Sequence, residues 1–214
     1  MNISEGLDKA FANVGQYFGS RGFLPSKKKD RYIREVDGII DAFSLRLSKK
    51  SNGQLWHHLT MEFENVEVNQ LFYRIEKQAR DSLGLEDIGV RRPTCSVTDW
   101  KFLLDVSSQA SKKCLWFAKF EAIFSDDFDS AGYKDMIDAG VRWFEKVHHV
   151  DGLVDYCLSA RTTHSLQNCL AAIRIYRPNE LESVFHRILN ENKEYFGWDQ
   201  DEFVAFYNFL LKDL

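Results

Sequence analysis

Apolar and polar residues alternate strictly along two stretches in the first third of the chain. In one, Ile39, Asp41, Phe43, Leu45 and Leu47 fall on one side and Ile40, Ala42, Ser44, Arg46 and Ser48 on the other. In the next, Leu55, His57, Leu59, Met61 and Phe63 oppose Trp56, His58, Thr60, Glu62 and Glu64. A period of two over about ten residues is the mark of a β-strand with one buried face. Asp37-Gly38 joins Tyr32–Val36 to the first of these stretches, and Asn52-Gly53 joins the two. Both dipeptides suit two-residue hairpin turns, whose central positions favour residues that tolerate positive φ. The pattern predicts a β-meander.

Elsewhere the period lengthens to that of a helix. Leu7, Ala10, Phe11, Val14 and Phe18 form a stripe that Gly19 and Gly22 end. Val68, Leu71, Phe72, Ile75, Ala79 and Leu83 form another, with Gly84 at its C-terminal end. From Ser130 onward the pattern is helical throughout. Tyr133, Met136, Ile137, Gly140, Val141, Phe144 and Val147 make one stripe, a short helix follows near 151–159, and Leu166, Cys169, Leu170, Ile173 and Tyr176 make the next. Pro178 ends that helix. Asn179 with Glu182, and Asp199 with Glu202, have the spacing of capping boxes ahead of two final helices. Residues 94–104 and 113–122 alternate around a small polar loop, SSQASKK, which reads as a second hairpin in the same sheet; a long helix is the alternative.

Strands early and helices late predict an α+β fold: an antiparallel meander sheet of about five strands, helices packed on one face and a helical C-terminal segment. The expected division is a sheet region over 1–124 and a helical region over 125–214, packed on the sheet as one unit.

Composition changes this picture in three places. Aromatic residues reach 14% of the chain, with 17 Phe, 8 Tyr and 5 Trp, enough to fill a large core. The net charge of -4 argues against general nucleic-acid binding, which needs a basic footprint. The charge is also uneven, since residues 1–50 carry ten Lys/Arg against six Asp/Glu, and residues 176–214 carry four against eight. Such an asymmetry can orient a partner. The four cysteines, at 95, 114, 157 and 169, show no C-x-x-C spacing, and Cys157 and Cys169 fall in apolar stripes as small buried groups. The opening MNISEGLDKAF has no basic start or apolar stretch of a secretory leader, and no apolar run approaches membrane-spanning length. A cytoplasmic protein with free thiols is expected.

Candidate chemistry is sparse. His57-His58 and His148-His149 suggest metal ligands, but adjacent strand residues point to opposite faces, and the second pair falls at a helix end, where a cation suits the dipole. No metal site and no cofactor are predicted. Glu62 and Glu64 share a strand face, with Arg46 on the neighbouring strand, so they are candidates either for acid–base work or for cross-strand charge pairing on an exposed face. No catalytic residue is assigned, because no nucleophile elbow, phosphate loop or dinucleotide fingerprint occurs. The candidate binding residues are basic: Lys27, Lys28, Lys29 and Arg31 in one segment, Arg91 and Arg92 in another. They would meet an acidic partner or a phosphate, or else form a solvated loop beside an edge strand.

The stretch GFLPSKKKDRYIREVDGIIDAFSLRLSKKSNGQLWHHLTMEF resembles the domain of unknown function 4304 family, an uncharacterised and largely bacterial group. The likeness rests on the Gly-Phe pair, the Lys run, an aromatic-x-Arg strand, a turn and a strand ending in Ser-Lys. It is clearest over residues 7–66, with Arg91-Arg92, the Trp116 segment and AGVRWFEKV where similar elements would fall. The resemblance implies an α+β domain and carries over no activity or site. Immunity proteins that neutralise toxins occur among small bacterial proteins of this sort.

These observations lead to a non-catalytic protein-binding module, of immunity or adaptor type, as the expected function. The alternative is a hydrolase or nuclease using Glu62, Glu64 and histidines. A third reading is phosphate or nucleic-acid recognition through Lys27–Lys29 and Arg91-Arg92.

Overall fold

The sheet is laid down by the meander that the alternation predicts. The computed structural model describes residues 15–26, 31–49, 55–86, 92–97, 118–119, 130–160, 162–191 and 200–213. Its strands are β1 (Leu24–Pro25), β2 (Arg31–Val36), β3 (Ile39–Lys49), β4 (Leu55–Asn65), β5 (Cys95–Val97) and β6 (Ala118–Lys119). They run in the order β1-β2-β3-β4-β5, and β6 also pairs with β4. The β2–β3 hairpin is antiparallel, with Val36 opposite Ile39 and Tyr32 opposite Phe43. Asp37 and Gly38 both adopt positive φ, at 51° and 76°, as a two-residue turn that follows the strand twist requires. The described parts of the segment 94–122 are strand rather than helix. The Asn52-Gly53 turn lies outside the described residues.

The helices are α1 (Val66–Ser82), α2 (Ser130–His148), α3 (Val150–Ala160), α4 (Thr163–Tyr176), α5 (Leu181–Glu191) and α6 (Gln200–Lys212). Asn65 caps α1 by accepting from the Val68 amide, and Thr162 caps α4 by accepting from the Ser165 amide. Gly84, at φ 67°, ends α1 in a Schellman turn: its amide donates to Asp81 and that of Leu85 to Arg80. Leu83 belongs to this cap and is exposed, so the predicted stripe stops at Ala79. Pro178 opens a 3-10 turn over Pro178–Glu180 rather than a direct helix start. Asn179 therefore lies inside that turn, and α5 begins at Leu181. The chain is helical over 15–19, which matches the end of the first predicted stripe, whereas residues 1–14, Asp199 and Gly197 lie outside the described residues.

Two compact units result. One comprises 1–63 with 96–145, the other 64–95 with 146–214. Helix α1 goes with the later helices because its apolar stripe packs on α4 and α6.

In the sheet unit, one face of the sheet carries Tyr32, Phe43, Met61 and Phe63, all buried. Phe18 stacks on Tyr32 with centroids 4.1 Å apart, Phe23 meets Phe43 at 5.0 Å, and Phe144 of α2 meets Phe43 edge-on at 5.2 Å. Ring pairs of this kind add about 1 kcal/mol each beyond the area they bury. Gly140 lets α2 approach closely, since a Cβ there would lie 2.5 Å from the Phe43 ring and 2.6 Å from Met61 Sδ. Asp138, on the same helix, accepts from Tyr17 at 2.5 Å and from Arg21 Nε at 2.6 Å, which fastens the 15–21 segment to it.

In the helical unit, α4 is the central rod. Residues Ser165 to Ile173 are all buried, and the helix packs on α1, α3, α5 and α6. Its sequence over those positions, SLQNCLAAI, has no charge, which is what a helix enclosed on all sides requires. Phe185 of α5 stacks on Tyr207 of α6 at 3.7 Å, and Phe72 of α1 lies 5.6 Å from Phe206.

Candidate functional site: arginine–carboxylate pairs of the sheet

The second face of the sheet corrects the expectation of an exposed charged surface. Ala42, Ser44, Thr60 and Glu62 point to it, and all four are buried. Alternation shows which residues share a face, not whether they are buried there, and these four are. A carboxylate in such a place needs a partner, because an unpaired buried charge is costly.

Glu62 has one. Arg31 stands opposite Ser44 across the β2–β3 ladder, and Ser44 lies between it and β4. The arginine reaches over Ser44 and donates Nη2 to Glu62 Oε2, and the Ser44 hydroxyl donates to the same oxygen at 3.4 Å. The Glu62 side chain is 10% exposed and that of Arg31 is 40% exposed, so the pair runs from the interior to the surface. Thr60 Oγ1 is buried on this face without a hydrogen-bond partner.

A second pair closes the sheet's other face. Arg34 and Asp41 are cross-strand partners, and Arg34 donates both Nε, at 3.0 Å, and Nη2, at 2.7 Å, to Asp41 Oδ2. Its guanidinium also lies over the Phe23 ring, 4.7 Å from the centroid. Asp41 is buried on the same side of β3 as Ile39 and Phe43, and the paired guanidinium is what lets a carboxylate sit on that apolar side.

The predicted site residues are therefore redistributed. Arg31, a candidate for binding, and Glu62, a candidate base, engage each other. Glu64 is half-buried. The side chains of Arg46, His57 and His58 are not among those the structure describes, and Lys27, Lys28, Lys29 and Arg91 lie outside the described residues. Arg92 is exposed in the helical unit, where its backbone N–H donates to the Tyr73 hydroxyl and its carbonyl accepts from it at 2.6 Å. His148 ends α2, and His149 occupies the bend before α3. Among the described residues, no group of three or more His, Cys, Asp or Glu side chains could hold a metal ion.

The helical unit holds a neutral polar cluster that the sequence reading missed. Thr94 donates to Asn69 Oδ1 at 2.6 Å and accepts from the Asn65 amide at 3.0 Å, while Asn65 Nδ2 donates to the Tyr176 hydroxyl at 2.8 Å. His164 packs edge-on against Phe72 and lies 3.4 Å from the Pro93 carbonyl. Burial, with Arg92 nearby, holds its pKa below the usual value and outweighs the opposing effect of that carbonyl. Asn69 Nδ2, Gln167 Nε2 and Asn168 Oδ1 are buried without hydrogen-bond partners among the described residues. The signal in the sequence was the run Ser165-Leu166-Gln167-Asn168, amides in an otherwise apolar helix. Cys95, Cys157 and Cys169 are free and buried, as expected for the last two. The Cys95 thiol beside it and burial together push the Cys157 thiol well up, and burial pushes Cys169 up.

An α+β protein with a six-stranded sheet and internally paired arginines is the class that these features define. No protein-family model, no curated protein and no solved structure matches the chain. No helix among the described residues is long and apolar enough to cross a membrane.

Proposed function

We propose that this chain is a non-catalytic protein-binding module of immunity or adaptor type, acting in the reducing cytoplasm. The observation that carries the reading is the Arg31–Glu62 pair. The competing hydrolase or nuclease reading needs Glu62 free to take or give a proton, and its oxygen Oε2 is engaged by a guanidinium and a serine hydroxyl. Exposed carboxylates occur in both units, and several belong to the last helices. Glu182 is 80% exposed, and Glu191 and Asp201 are exposed as well. They lie in the region with eight acidic against four basic residues, which supports a basic protein as the partner, steered by the field of that end.

Three free, buried thiols support a reducing compartment. The resemblance of residues 7–66 to the domain of unknown function 4304 family belongs to the same proposal.

The test is capture of a stoichiometric partner by the tagged chain from its native lysate, followed by reconstitution from the two purified proteins. The expected complex loses affinity with added salt and with Glu182→Lys combined with Asp201→Lys, and keeps it with Glu62→Gln. A hydrolytic activity of the purified chain that Glu62→Gln removes would overturn the reading.

A further inference from the structure

The helical unit contains an arginine–carboxylate meeting of a different kind. Arg74 of α1 pairs through Nη2 with the carboxylate of Asp213, and Arg174 of α4 donates its Nη2 to the Asp213 backbone carbonyl at 3.1 Å. Asp213 stands one residue beyond the end of α6. With Glu67, Gln70, Leu71 and Ile175, these residues line an open pocket of about 350 Å³. Arg174 Nε is buried there without a hydrogen-bond partner.

We propose that this pocket binds a small molecule bearing an oxyanion, a phosphate or a carboxylate, and that Asp213 is the internal occupant which the ligand displaces. Two guanidiniums carried by two different helices converge on one place, and their donors match the paired oxygens of such a group. Asp213 already offers them one carboxylate and one carbonyl oxygen, the pattern an oxyanion would supply from a single group. The occupant is held weakly. Arg74 is 57% exposed, so its pair with Asp213 is screened by solvent, and Asp213 lies past the last helical residue. With Asp213 withdrawn, Glu67 is the remaining carboxylate among the described lining residues, against two guanidiniums, and the pocket favours an anion. Its volume suits a metabolite rather than a polymer.

The inference is independent of any protein partner. It is tested by calorimetric titration of the full chain with inorganic phosphate and, separately, with acetate, at low ionic strength. Phosphate heat marks a phosphate-bearing ligand, and acetate heat alone marks a carboxylate. Asp213→Asn should bind about fivefold tighter than the unaltered chain, the gain expected from removing an exposed competing pair. Arg174→Gln should abolish binding, and Arg74→Gln, on a more exposed side chain, should weaken it with the thermal midpoint unchanged. If neither anion binds Asp213→Asn, or if that variant only lowers the thermal midpoint, Asp213 is a latch for the end of α6 and the proposal fails.

Discussion

The two units solve the same problem, polar groups inside a core, by different chemistry. The sheet unit buries carboxylates and holds each with an arginine: Glu62 with Arg31, Asp41 with Arg34. The helical unit buries neutral amides and hydroxyls, Asn65, Thr94 and Asn69, in a hydrogen-bonded chain that starts at the exposed Tyr176. It leaves Asn69 Nδ2, Gln167 Nε2 and Asn168 Oδ1 without partners. The difference follows from geometry. Neighbouring strands bring side chains of one face within reach across the ladder, so a long arginine can span a strand and meet a carboxylate. A central helix enclosed on all sides has no route to solvent for a charged head, so only neutral groups fit. Charges in the sheet unit are consequently structural, and the helical unit has such a pair too, away from its central helix: Arg80 of α1 meets Glu202 of α6 at 2.9 Å, with the side chains 15% and 14% exposed.

Variants can sharpen or break this comparison. The largest effect is expected at Gly140, where alanine would press on Phe43 and Met61 in the aromatic core. Gly140→Ala should cost about 3 kcal/mol in denaturant unfolding, the upper range for overpacking. A cost near zero would mean the core there is loose. Next is Asp41→Asn, which leaves the Arg34 guanidinium half-buried without its charge partner. About 2 kcal/mol should be lost, reduced from the value for a fully buried pair because Arg34 reaches partly to solvent.

A smaller effect is expected with pH in the helical unit. The half-buried imidazole of His164 has its pKa held below the ordinary 6.5 by desolvation. Between that lowered value and 6.5, the unfolded chain takes up a proton that the folded chain refuses. Stability is therefore lost as pH falls through this window. Urea midpoints at pH 7.5 and 5.5 should differ, and His164→Gln should narrow the difference. No narrowing would show that the histidine is open to solvent.

The smallest effect is at Gln167, a buried amide whose nitrogen lacks a partner. Gln167→Met should be neutral or stabilising by up to about 1 kcal/mol, since an apolar group of similar size removes the unmet donor. A clear loss in thermal midpoint would mean that this amide is bonded after all.

Much of the local structure was legible in the chain. Asp37-Gly38 named its turn, Gly84 its helix end, and the alternation on either side of residue 50 its strands, because these features depend on backbone sterics over a few residues. The pairing of Arg31 with Glu62 was not legible. It spans β3, so it depends on the register of three strands at once, and sequence spacing placed Arg46 nearer. Nor could periodicity tell that Thr60 and Glu62 would be buried, since a period of two marks a shared face and not its exposure. Helix α1 joined the later helices for a reason of the same kind: its stripe showed that it packs, not on what.

The most direct test of structural charge in the sheet is a double-mutant cycle on Arg31→Gln and Glu62→Gln, read by denaturant unfolding. A coupling of about 1 kcal/mol is predicted, allowing for solvent screening of the partly exposed arginine. Additive costs, with no coupling between the two positions, would contradict the account and return Glu62 to the list of groups free for chemistry.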